Sequence, residues 1–450
     1  MLFSPERLLE ILDRLPETGR YLIAYSGGRD SHVLLHALCL LRDRLPASLE
    51  AVHIDHGLQP ESGRWAAHCV QVCRDLQVPC KTIALELKTV KGKSTEAIAR
   101  SARYQAIIDL MLSGDTLLTA HHQDDQAETV LLQLLRGAGP AGLSAMPEVA
   151  AFGPGYRARP LLGFSRVNLE AYAREHRLNW VEDPSNRDPR FDRNYLRNEV
   201  MPGLTRRWPS LGRTLSRSAR HCAEAQGLIN GMAAGDLSGL LDDETGTLST
   251  DGLLELPKPR VRAVLRAWIQ HRGFELPDTA RLDRIFGEMA GAARDRNPLV
   301  HWPGVEVRRY RNRLYLREPP GTVDPDLEID WDLARPLTLP AGMGVLHLEL
   351  EPFCLPEGHD HVGKVRFRPK GERVKPAGRP GSQSFKNFFQ QRAVPPWERG
   401  RIPLLYLSGE LAAVADLCVC EPSNGGWVPG RMQLIWQRSP ETNGACLSRD

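Results

Sequence analysis

Apolar and polar positions alternate in two different ways along the chain, and the change falls near residue 208. Before it, short apolar runs alternate with amphipathic stretches. Tyr21-Leu22-Ile23-Ala24-Tyr25 reads as a buried parallel strand, and apolar positions 34, 35, 38 and 41 then follow helical spacing. Further strands are expected at 49–55, 81–85 and 116–120, and helices at 5–15, 63–76, 95–112, 123–135 and 165–176. Such alternation predicts an α/β domain with a parallel sheet and right-handed crossovers. A further helix is expected to start near Tyr195. Past residue 208 the alternation stops. Residues 210–241 and 259–293 read as helices, 306–317 as a hairpin around Arg311-Asn312, and 337–351 and 362–368 as strands. Glu318-Pro319-Pro320-Gly321 and Pro325 mark a linker. Three domains are expected: α/β at 1–207, mainly helical at 208–320, and small α+β at 335–440.

Composition changes this picture little. A length of 450 residues exceeds one typical core, and 42% apolar with 25% charged residues is ordinary for a globular protein. A net charge of +3 selects no partner by itself. No run approaches the ~20 apolar residues of a membrane span, and the opening Met1-Leu2-Phe3-Ser4-Pro5-Glu6-Arg7 turns to charge too early for a signal peptide. Nine scattered cysteines without a Cys-x-x-Cys pair fit free thiols in a reducing compartment. Cys69 with Cys73, and Cys418 with Cys420, read as small buried hydrophobes, and no cysteine adjoins a motif with chemistry.

That chemistry gathers at the carboxyl ends of the expected strands, where parallel sheets bind ligands. Ser26-Gly27-Gly28-Arg29-Asp30-Ser31 joins the first strand to its helix. Two glycines let the backbone turn and approach a ligand, and the amides at the helix start favour an anion. Ser26 and Ser31 add hydroxyl donors, and Asp30 suits a cation. Arg29 is expected to reach solvent or phosphate. His53, Asp55 and His56 end the second strand, and either line a nucleotide pocket or merely shape a turn. His121-His122-Gln123-Asp124-Asp125 follows the fourth strand. Asp125 and Glu128 are three apart on a helix and share a face. Arg100 and Arg103 are expected to meet phosphate or to pair along a helix surface.

Two motif matches are set aside. Gly137-Ala138-Gly139-Pro140-Ala141-Gly142 follows a helix rather than a strand, and proline interrupts it. Gly358 to Val365 mimics a Walker loop but has Val365 where a hydroxyl should hold magnesium. Residues 364–401 are strongly basic, with only Glu372 and Glu398 opposing, and Phe385, Phe388, Phe389 and Trp397 interleave. The aromatics read as core; the basic excess reads as an RNA surface.

Ser-Gly-Gly-x-Asp-Ser resembles the loop of the pyrophosphate-loop ATP enzymes. Taken with His53-Ile54-Asp55-His56-Gly57, the His-x-x-Asp-Asp-x-x-Glu-Thr run from His121, Arg159-Pro160-Leu161-Leu162, Arg193-Asn194-x-x-Arg197 and Val394-Pro395-Pro396-Trp397, it resembles the tRNA(Ile)-lysidine synthetase family over nearly the whole chain. The resemblance implies a Rossmann-like (adenine nucleotide alpha hydrolase-like) first domain, ATP and Mg²⁺, free L-lysine, and a tRNA(Ile) with a CAU anticodon. It implies adenylation of the wobble cytidine and attack by lysine, in the cytoplasm, by a monomer or homodimer. Under it, residues 26–31 hold phosphate, with His53, Asp55 and His56 beside the nucleotide. Asp30 and Asp124 are the metal candidates. Asp125 and Glu128 hold the lysine cation or help remove its proton, Arg193 and Arg197 contact the adenylated base, Arg100 and Arg103 meet phosphate or the anticodon unless they pair along the helix surface, and residues 364–401 grip the acceptor arm. The rivals are a tRNA thiolase of the same superfamily and a non-catalytic RNA-binding protein.

Overall fold

The structure is a computed structural model. It describes residues 2–55, 57, 61–85, 95–184, 188–290, 298–352, 354–355, 361–369, 371–423 and 425–438. The chain forms two compact units, Met1–Leu228 and Ile229–Asp450.

The first unit is built on a six-stranded sheet. Its strands are β1 (Arg20–Ala24), β2 (Ser48–Asp55), β3 (Cys80–Ala84), β4 (Thr116–Leu118), β5 (Val149–Phe152) and β6 (Gly155–Ala158). They lie in the order β3-β2-β1-β4-β6-β5, with every pair parallel except β5 with β6. Chain order reverses between β1 and β4, and sheets of this kind bind ligands beyond the carboxyl ends of the strands at such a point. The helices are α1 (Pro5–Leu12), α2 (Arg29–Leu40), α3 (Ser62–Asp75), α4 (Thr95–Ile108), α5 (Gln123–Leu135), α6 (Pro140–Leu143), α7 (Arg166–Glu175), α8 (Asp192–Tyr195) and α9 (Met201–Arg207), and α10 (Leu211–Leu240) carries the chain across the boundary at Leu228.

Successive side chains of a strand point to opposite faces, and β1 shows it. Tyr21 and Ile23 join a core with Val33, Leu34 and Leu38 of α2 and Cys69 and Cys73 of α3. Leu22 instead packs with Val52, Leu117, and Ile107 of α4. Burial on both faces explains the unbroken apolar run.

In the second unit, α11 (Thr250–Glu255), α12 (Lys258–His271) and α13 (Thr279–Ala290) pack on a four-stranded antiparallel sheet. That sheet comprises β7 (Leu248–Ser249), β8 (Leu299–Trp302), β9 (Val305–Tyr310) and β10 (Arg313–Arg317), the last two being the expected hairpin. The stretch read as one helix over 259–293 is two. The chain turns at Gly273, whose φ is +77°, and Pro277 follows before α13 begins. Beyond the linker come β11 (Glu328–Asp332), β12 (Leu337–Thr338), β13 (Val345–Leu350), β14 (Val362–Arg366), α14 (Phe385–Gln391), β15 (Leu404–Leu407), β16 (Glu410–Val414), β17 (Cys418–Val419) and β18 (Met432–Gln437). They form a five-stranded and a three-stranded sheet over one shared core. Val362 to Arg366 is antiparallel strand, so no helix follows the Walker-like sequence; residues 358–360 of it lie outside the described residues. Among the described residues, no helix is long and apolar enough to cross a membrane.

Candidate active site

The glycine loop leaves β1 and enters α2 with Gly28 as the capping residue, and no side chain caps that helix. Its first-turn amides are therefore left for another acceptor. Gly27 has φ +77°, and a Cβ there would stand 2.8 Å from Cys69 Sγ, so the turn requires glycine. Cys69 thus does adjoin the loop, against expectation. It is fully buried, and burial pushes its thiol up to about 12, so it is no nucleophile. The Gly27 carbonyl accepts from the Val181 amide at 3.0 Å.

The serine hydroxyls are used differently from expectation. Ser31 Oγ donates its one proton to the Gly28 carbonyl at 2.9 Å. In the 3.0 Å pair of Ser26 Oγ and Ser31 Oγ, Ser26 must then be the donor. The Gly28 amide donates to Ser26 Oγ at 3.3 Å and the Ser26 amide to Ser31 Oγ at 3.3 Å. Both hydroxyl protons thus shape the loop, and the first-turn amides of α2 have no side-chain cap. Arg29 is likewise not extended into solvent. It donates to Asp30 at 3.0 Å and reaches Glu170 of α7 at 3.4 Å.

His122 joins this loop to the acidic helix, a role the sequence reading did not assign. It is 2% exposed and caps α5: its backbone amide donates to Asp125 Oδ2 at 3.0 Å, and its Nδ1 accepts from the Asp125 amide at 3.4 Å. The cap needs the lone pair on Nδ1, so the proton of the neutral ring is on Nε2. That nitrogen faces Asp30 at 3.5 Å and Asp125 at 3.4 Å, while Asp124 lies 3.7 Å from Nδ1. Burial opposes a charge on His122, but the Asp30 hydrogen bond and three carboxylates raise its pKa. Burial also opposes ionisation of Asp30; His122 and Arg29 outweigh it and hold that carboxyl at about 2. Histidine is an uncommon N-cap, so the acidic run after it masked its place.

Asp125 and Glu128 do share a face, and two guanidiniums cover it. Arg197 donates to Glu128 Oε1 at 2.7 Å and Oε2 at 2.8 Å, and to Asp125 Oδ1 at 2.8 Å. Arg193 donates to Glu128 Oε2 at 2.9 Å and Asp125 Oδ1 at 3.3 Å. Two carboxylates thus meet two cations, and the pair is not an open cation pocket. Arg197 lies in a turn of π-helix, Leu196–Val200, which follows α8 where a helix had been expected to start near Tyr195. Asp125 is held below the usual range: burial raises it, but His122 and Arg193 prevail.

The remaining candidates fall elsewhere. His53 is buried with Nδ1 2.9 Å from the Tyr25 carbonyl, just before the loop. Asp55 accepts from the Gly57 amide at 2.8 Å, which is turn chemistry; His56 lies outside the described residues. Asp124 Oδ2 accepts from the Arg166 amide at 2.8 Å at the start of α7. In the basic stretch, Phe385, Phe388 and Phe389 are core. Arg401 is buried against the Gly321 and Ala341 carbonyls, and Arg366 pairs with Glu328 at 3.0 Å. Lys364, Arg368, Arg373, Lys375, Arg379 and Lys386 remain exposed.

The sequence matches known families. Residues 4–204 match the PP-loop domain family, 248–315 the TilS substrate binding domain and 364–434 the TilS substrate C-terminal domain. The chain is 43% identical to the tRNA(Ile)-lysidine synthase of Coxiella burnetii over 93% of both chains. It is 43% identical to that of Methylococcus capsulatus, over 88% of this chain and 90% of the relative. It is 40% identical to that of Pectobacterium atrosepticum, over 96% and 98%. With a phosphate-type loop at the sheet's switch point and relatives matched almost end to end, the chain belongs to the tRNA(Ile)-lysidine synthase family of enzymes.

Proposed function

We propose that the chain joins free L-lysine to C2 of the wobble cytidine of a CAU-anticodon tRNA(Ile), consuming ATP and redirecting the tRNA to AUA. The observation that carries this reading is the His122 imidazole, which touches Asp30 of the glycine loop and Asp125 of the acidic helix. A triphosphate on the loop and an amine at the acidic helix would then meet at one place.

The chemistry needs such a meeting. A ring carbonyl carbon is a poor electrophile, so cytidine O2 first attacks the α-phosphorus of ATP and pyrophosphate leaves. The C2–O bond now carries AMP as leaving group. The lysine ε-amine adds to C2, loses a proton, and AMP departs with the C–O electron pair. The amides at the start of α2 hold phosphate oxygens and the helix dipole supports them. Asp30 and Asp124 are the hard oxygen donors that would hold a divalent ion sharing its shell with phosphates; they lie on different nitrogens of His122, 3.5 Å from Nε2 and 3.7 Å from Nδ1. Magnesium there would neutralise triphosphate charge.

The enclosed Arg197 stays paired with Glu128. Arg193, the more exposed guanidinium, is the partner that lysine's ammonium displaces. Asp125 and Glu128 then hold the amine, and freed Arg193 offers its fork to the adenylate phosphate. The exposed bases between 364 and 386 hold the tRNA acceptor arm, with residues 208–320 completing the RNA surface. The work is cytoplasmic, where tRNA, ATP and lysine coexist.

Two assays decide. Pyrophosphate release from ATP should require a CAU-anticodon tRNA, and labelled lysine should become attached to it. Sulfur transfer, or no lysine attachment by enzyme that binds ATP, refutes the assignment. Asp125→Asn with Glu128→Gln should abolish lysine use and spare ATP binding; unchanged lysine dependence would eliminate the carboxylate role.

A further inference from the structure

We propose that the arginines gathered around Tyr104 form a subsite for an internucleotide phosphate of the RNA substrate. The proposal rests on the reading above that RNA is a substrate.

Arg100 and Arg103 lie on α4 with Tyr104, and Arg157 lies on β6. Their guanidinium carbons stand 5.1, 5.7 and 5.2 Å from the Tyr104 ring centre, and Arg157 is also 5.2 Å from that of Phe152. Three cations therefore share one aromatic ring. Arg159, two residues beyond Arg157, is 4% exposed. One of its Nη atoms donates to the Pro147 carbonyl at 2.6 Å, but its Nε is enclosed without a partner among the described residues, as is that of Arg157. Among the described residues, no carboxylate pairs with Arg100, Arg157 or Arg159. Burial and the charge of Arg157 pull the Arg159 pKa down to about 10, which records that missing counter-charge.

Topology brings this group to the active-site edge. The Thr119 amide donates to the Ala158 carbonyl at 3.0 Å, so Arg159 leaves the sheet beside the His121-His122 turn. Arg159 and Arg100 both press on His121, which burial holds neutral at about 3. A guanidinium over a ring face can still present its N–H edge, and the forks of Arg100 and Arg157 fit phosphate oxygens. An anion among these groups would relieve their mutual repulsion. The α2 amides already serve the nucleotide phosphates, so the favoured source is the RNA backbone beside the reacting base.

The test uses the full chain, CAU-anticodon tRNA and Arg157→Gln and Arg159→Gln variants. Binding is measured against potassium chloride concentration. Each variant should bind tRNA about tenfold more weakly, with the salt slope reduced by about 0.7 to 0.9. ATP affinity and inhibition by inorganic pyrophosphate should not change. Unchanged tRNA affinity and slope in both variants overturns the subsite. Weaker pyrophosphate inhibition with intact tRNA binding overturns the RNA source and gives the group to the leaving pyrophosphate. If the glutamine variants also lose ATP binding, Arg157→Lys decides. Weakened affinity with the slope retained supports a phosphate fork, and unchanged affinity overturns it. A chain that shows the binding losses yet never attaches lysine sinks the reaction assigned above and leaves the phosphate subsite standing.

Discussion

Glu128→Gln offers the sharpest test of the ion cluster between α5 and the 192–200 segment. Glu128 is 2% exposed and accepts three charged hydrogen bonds, two from Arg197 and one from Arg193. Removing one partner of a buried ion pair costs about 3 to 5 kcal/mol. Three features favour the low end. Glutamine keeps one acceptor oxygen, Asp125 keeps one charge, and Arg193, 36% exposed along its side chain, regains water. The expected cost is about 3 kcal/mol, which corresponds to about a hundredfold change in an opening equilibrium. Amide hydrogen exchange reads this locally. Protection over 123–135 and 192–200 should fall together by about that factor. In a double-mutant cycle, Arg197→Met should recover about 2 kcal/mol of coupling with Glu128→Gln. Independent effects, or exchange unchanged in either segment, would refute the claim that these four side chains act as one unit.

Two further outcomes are expected. Gly27→Ala forces alanine to a φ of +77° and a Cβ against Cys69 Sγ, so ATP affinity should fall at least tenfold; Cys69→Ala should rescue part of that loss, and no rescue would refute the contact. For pH, Asp30 has its folded pKa depressed from 3.8 to about 2, so its contribution of about 2 kcal/mol is present above pH 4 and lost as pH falls through 2; His122 has its folded pKa raised, so its contribution is complete below 6.5 and lost as pH rises through the folded value. Unfolding monitored from pH 2 to 9 should show both limbs shrink in His122→Ala, and limbs identical to the parent chain would contradict the pairing.

The loop, the parallel sheet and the acidic helix were legible because each is written in adjacent residues. Gly27-Gly28 stands between an apolar run and a helical one, and Asp125 and Glu128 share a face by spacing alone. The partners of those carboxylates were not legible, because Arg193 and Arg197 lie 65 to 72 residues further on. No local periodicity encodes such a pairing. Ser26 and Ser31 were read as ligand donors because composition cannot show where a hydroxyl proton goes. The Val149–Phe152 and Gly155–Ala158 hairpin escaped because alanine and glycine hide its strand pattern. Cys69 under Gly27 is a tertiary contact between α3 and the loop, invisible to spacing.

That hairpin has a consequence of its own. β6 is gripped on one flank by β4 and on the other by the reversed β5, so its sideways register is fixed twice. A slip by a single residue would swing Arg157 through the plane of the sheet, away from Tyr104, and carry Arg159 with it. A short border strand, unremarkable in itself, thereby acts as an alignment gauge for two guanidiniums.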